Sequence, residues 1–104
     1  MQTVERQNLT GIGPVRIGPS WMYAYWQYTY EEDDDGQHAS QRWTIRLSID
    51  DFGRLNLPPY QWTWLQLPGR QLESVFFRGT RETPPFTVLT FERPPRVATQ
   101  KATT

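Results

Sequence analysis

Arg42-Trp43-Thr44-Ile45-Arg46-Leu47-Ser48-Ile49 alternates without a fault. Trp43, Ile45, Leu47 and Ile49 point to one side, and Arg42, Thr44, Arg46 and Ser48 to the other. Such a period of two is the signature of a half-buried β-strand. No stretch of the chain sustains the helical period of about 3.6 residues. The fold must therefore be built from strands.

The rest of the chain supplies them. Residues 21–30, Trp21-Met22-Tyr23-Ala24-Tyr25-Trp26-Gln27-Tyr28-Thr29-Tyr30, hold no helix or strand breaker, and Trp, Tyr and Thr favour strands. Both faces of this run begin apolar, which predicts a central strand covered on both sides, with one covered face and one exposed aromatic face as the alternative. Tyr60-Gln61-Trp62-Thr63-Trp64-Leu65-Gln66-Leu67 reads as a strand with Tyr60, Trp62 and Trp64 on one face. Pro68-Gly69 carries the residues of a type II turn, and residues 71–78 return as the partner strand. Residues 86–92 form the last clear strand, after a loop over 79–85. Asp50-Asp51-Phe52-Gly53 is turn chemistry, leading to a short return strand over 54–57. Val15 and Ile17 alternate around Arg16 between Gly and Pro breaks, as a short edge strand would.

The expected fold is all-β: a small antiparallel meander of six or seven strands, closing as a barrel or a two-layer sandwich. Residues 1–10 read as a flexible or edge N-terminal arm, 11–94 as one domain, and 95–104 as a disordered tail after Pro94-Pro95. A chain of 104 residues fits a single domain with one core. Five Trp, five Tyr and five Phe are more rings than so small an interior readily hides, so some are expected at the surface or at a subunit contact.

Charge narrows the partner classes. The formal net charge is zero, which argues against a generic polyanion binder. Residues 1–52 carry four Arg against eight acids, a balance of −4, and residues 53–104 carry six Arg and one Lys against three acids, a balance of +4. Arg suits planar and stacked contacts better than Lys does. The chain has no Cys, so disulfides, thiolate metal sites and a Cys nucleophile are ruled out, and a reducing, cytoplasmic location is expected. The N-terminus lacks the pattern of a signal peptide, and no apolar run is long enough for a membrane helix, so a soluble chain without membrane insertion is expected.

Catalytic and cofactor signatures fail one by one. Glu31, Asp33, Asp35 and Gly36 match the opening of an EF-hand loop, but the closing carboxylate position falls on Arg42. The acidic run Glu31 to Asp35 then reads as a wet loop, with a loose cation site or a basic partner as the alternatives. His38 is the sole histidine and has no second His or Cys to share a metal. Gly11-Ile12-Gly13 starts like a dinucleotide fingerprint, but Gly18 is misplaced and no helix follows. No G-x-S-x-G elbow is present. No catalytic, cofactor or metal residues are expected, and the chain reads as non-enzymatic.

What remains is aromatic and Arg chemistry. Trp, Tyr and Arg are the residues enriched at protein interface hot spots. The expected function is a binding or assembly module that uses Tyr60, Trp62 and Trp64, supported by Arg42 and Arg46, against a protein partner or its own copy. Two alternatives share the same rings: a small barrel that stacks single-stranded nucleic acid beside an Arg groove, and a domain that stacks sugar rings.

Overall fold

The computed structural model describes residues 6–32 and 38–97. Among these, six antiparallel strands close into a barrel in the order β1-β2-β3-β6-β5-β4. They are β1 (Arg6–Ile17), β2 (Ser20–Glu32), β3 (His38–Ser48), β4 (Gln61–Gln66), β5 (Glu73–Thr83) and β6 (Phe86–Val97), with one short helix, α1 (Ile49–Leu55). The barrel is thus two three-strand meanders, β1-β2-β3 and β4-β5-β6. They are sewn together by the β3–β6 ladder and by a short β4–β1 ladder. The link that carries α1 takes the chain from β3 to β4, which are not neighbours in the sheet.

The alternating side chains of β3 decide the interior. Trp43, Ile45 and Leu47 are buried, and Arg42 and Arg46 lie outside. Val15 and Ile17, Ala24 and Tyr28, Leu65 and Leu67, Val75 and Phe77, and Leu89 and Phe91 complete the core. Rings anchor it in two pairs: Tyr28 with Trp43 at 5.3 Å and Phe77 with Phe91 at 5.1 Å between centroids. Buried aromatic pairs of this kind add roughly 0.5–1.5 kcal/mol beyond their area.

Several expectations give way here. The Asp50-Asp51-Phe52-Gly53 stretch is helix, not turn and return strand. Ser48 caps it, its Oγ accepting the Asp51 N–H at 3.0 Å. Asp50 and Asp51 lie in the first turn and Arg54 in the last, which suits the helix dipole. Asn56 ends it in the left-handed conformation at φ 50°. Phe52, Leu55 and the following Leu57 pack against the core.

The loop expected over 79–85 is mostly strand. Gly79, at φ 127°, takes up a register shift between β5 and β6, and β5 then runs on to Thr83. Pro94-Pro95 does not end the last strand either. They fall where the β3–β6 register slips between Ala39 and Gln41, a position in which a missing N–H is tolerated.

β1 is longer than the short strand expected, and its glycines are inside it. They serve close approach: a Cβ on Gly11 would lie 2.6 Å from the Trp26 ring, and one on Gly13 would lie 2.9 Å from Pro68. Of the expected N-terminal arm, residues 6–10 are strand. Residues 1–5, the acids Asp33 to Asp35, and 98–104 lie outside the described residues. His38, expected in a loop, opens β3 and pairs with Val97.

β2 is central in strand order but covered on one face only. Ala24 and Tyr28 point inward, while Trp21 and Tyr23 are 57% and 72% exposed. In a closed barrel one face of every strand looks out, and no second layer covers this one.

Candidate functional site

Three rings leave the core at β4. Leu65 and Leu67 fill the interior at this point, so the alternate positions face out, with Trp62 at 55% and Trp64 at 52% exposure. Two residues of strand separate the two indoles by about 7 Å along the chain. Trp62 leans edge-on against Phe76 of β5 at 5.6 Å, which fixes its orientation without burying it. Arg16, Gly18 and Pro19 line a shallow groove together with Trp62, Thr63, Trp64 and Ser74. Arg16 is held there by a bond from its Nε to the Gly18 carbonyl at 3.0 Å.

Tyr60 stands at the start of the strip and is 68% exposed. Its backbone is left-handed, at φ 62°. For a bulky side chain that conformation costs roughly 1–2 kcal/mol. Its N–H donates to the Phe77 carbonyl at 2.7 Å, which pins the residue in place. The ring is outside the core, so the strain is not offset by core packing. Strained, exposed residues of this sort concentrate at functional sites.

The arginines divide. Arg42 shares a shallow groove with Tyr60, Arg78 and Arg81. One cross-strand row on the outer surface explains why: Trp62 faces Phe76, Phe76 faces Glu92, and Glu92 faces Arg42. Glu92 takes Arg42 at 3.0 Å and Arg78 at 3.9 Å. Arg46 sits elsewhere. Its guanidinium lies over Tyr25 at 4.9 Å and over Phe86 at 4.7 Å from the ring centroids. Two strands, β6 and β5, separate β3 from β4. The expected grouping of Tyr60, Trp62 and Trp64 with Arg42 and Arg46 is therefore brought together for Arg42 beside Tyr60 and not for Arg46. Arg16 stands beside the tryptophans instead. The alternation of Val15, Arg16 and Ile17 already turns it outward.

A polar network borders the core beside Tyr28. Arg93 bonds Glu73 at 2.7 Å, the Ser74 carbonyl at 3.2 Å and Gln41 Oε1 at 3.4 Å, and Gln41 Nε2 donates to the Tyr28 hydroxyl at 2.8 Å. Arg70 lies over the Tyr28 ring at 5.5 Å. Tyr28, Gln41, Arg70 and Glu73 also line a small cavity of about 120 Å³. No helix among the described residues is long and apolar enough to cross a membrane. Compared with known proteins, the chain matches no family model, no curated protein and no solved structure.

Proposed function

We propose that the chain is a non-catalytic binding module that takes a protein partner on the outer face of β4. Trp62 and Trp64 are the anchors, with Tyr60 at one end of the strip and Arg16 at the other. The observation that carries this reading is the division of labour in β4. Leucines supply the core, and every ring of the strip is left to solvent. Half-exposed indoles on a rigid strand lose little freedom on binding, and Trp, Tyr and Arg dominate interface hot spots.

A protein partner is favoured over a nucleic acid by the way the arginines are spent. Arg42 and Arg78 share Glu92, and Arg93 is tied to Glu73, so among the described residues Arg16 is the one guanidinium lining the groove of the tryptophans. The formal net charge of zero agrees with that. The absence of cysteine supports placing this work in a reducing compartment such as the cytoplasm.

The test is a selection of displayed peptides against the purified chain. Enriched peptides are then titrated against wild type and the Trp62→Ala/Trp64→Ala variant. The expected result is a loss of at least about tenfold in affinity for the variant. Equal affinity for both proteins overturns the reading. So does tighter binding of oligo-dT or oligo-rU that weakens steeply with salt.

A further inference from the structure

β1 has a free edge. Among the described residues it pairs with β2 along its whole length, Arg6 to Ile17, but with β4 only at Arg16 and Ile17. Residues 7–15 therefore present one side of their backbone to no neighbouring strand. Natural edge strands are usually guarded by charge, by proline or by brevity. This one is guarded weakly: Gln7-Asn8-Leu9-Thr10-Gly11-Ile12-Gly13 holds no charge and no proline.

The direction of each backbone group follows from the register. N–H groups alternate sides along a strand. The Gly18 N–H points away from β2, donating to the Trp64 carbonyl at 2.8 Å. Arg16, two residues earlier, faces β4 in the ladder. The even-numbered residues of β1 thus aim their N–H and C=O at the open edge. Pro14 falls on such a position, where its missing N–H breaks no bond to β2. Asn8, Thr10 and Ile12 are left as three donor and acceptor sites in a row.

We propose that this edge pairs with the same edge of a second copy of the chain, antiparallel, about a two-fold axis through Thr10. In that register Thr10 faces Thr10 of the other copy, and Asn8 faces its Ile12. All three outward residues of each copy then gain both backbone bonds at once, from partners within the same uncharged stretch 8–12. The side chains agree. On the outer face Thr10 meets Thr10, a favourable cross-strand pair. On the inner face Leu9 meets Gly11, where a larger residue would crowd it. Residues 7–15 are uncharged, so two copies of the edge meet without like-charge repulsion, and the chain as a whole is formally neutral. Ile12, 64% exposed, would be covered. The interface is isologous, as closed two-fold dimers require, and joins two barrels through one continuous sheet. It is independent of the β4 surface.

Sedimentation from low micromolar to near-millimolar concentration tests it, with wild type beside Thr10→Lys. Thr10 is exposed, so the lysine is accommodated in the monomer, but in the dimer it sets two ammonium groups face to face. The wild type is expected to dimerise, and Thr10→Lys to weaken the dimer at least about tenfold. Thr10→Cys fixes the register. Directly opposed residues in a bonded antiparallel pair lie about 5.5 Å apart at Cα, within disulfide reach. The chain has no other Cys, so oxidation should link two copies of Thr10→Cys. Asn8→Cys alone should not link, while a mixture of Asn8→Cys and Ile12→Cys should. A wild type that stays monomeric throughout overturns the proposal. So does a dimer that survives Thr10→Lys, or one that links through Asn8→Cys and not through Thr10→Cys.

Discussion

β2 and β4 are the two strands densest in rings for their length, and they use them differently. β2 turns Tyr28 inward onto Trp43, where it is 6% exposed, and turns Trp21 and Tyr23 out. β4 turns no ring inward at all: Leu65 packs the core, and Trp62 and Trp64 are left outside. Tyr28 of β2 is explained by folding; Trp21 and Tyr23 are not, any more than Trp62 and Trp64 are. What sets β4 apart is that it gives the core no ring, and that difference is what points to β4 as the binding face.

Core and surface rings should respond differently to truncation. Trp43→Ala empties a site that is 3% exposed and strips Tyr28 of its ring partner. It should cost about 3–5 kcal/mol in urea unfolding, enough to unfold much of a domain this size. Trp64→Ala, at 52% exposure, should cost about 1 kcal/mol or less while weakening partner binding. A cost for Trp64→Ala close to that for Trp43→Ala would make it a core residue and remove the argument.

Tyr60 sharpens the contrast by sign. Its left-handed backbone suits glycine, so Tyr60→Gly should raise stability by roughly 1 kcal/mol, read as a higher urea midpoint, and lower affinity for the selected peptide. Destabilisation would mean that the ring supports the fold. The smallest effect is expected inside the barrel. Thr87 is buried with its hydroxyl unpartnered, so Thr87→Val should be neutral or stabilising by under about 1 kcal/mol.

Much of this was legible in the sequence, and the limits have physical causes. The alternation sets which face of β3 is buried as far as Ser48, while Ile49, placed inward by the same period, opens α1 and is 42% exposed; the same period puts Trp62 and Trp64 on one side of β4. The helix was hidden because Asp-Asp-Phe-Gly is also turn chemistry. The clue was Ser48 three residues before Asp51, the spacing of an N-cap. The aromatic run of β2 read as covered on both faces because apolar residues occupy both. Composition cannot tell a second layer from open solvent. Alternation alone groups Arg46 with the tryptophans because both faces are outward. That β6 and β5 stand between β3 and β4 is long-range topology, which no local pattern encodes. The left-handed backbone of Tyr60, after Pro58-Pro59, leaves no mark in residue type.

A binding face on β4 is tested by the affinity of the Trp62→Ala/Trp64→Ala variant for a peptide selected on the wild type, measured where its unfolding curve shows it to be folded. A loss of at least about tenfold, with cooperative unfolding retained, is what a binding face on β4 predicts. Unchanged affinity in a folded variant would contradict it.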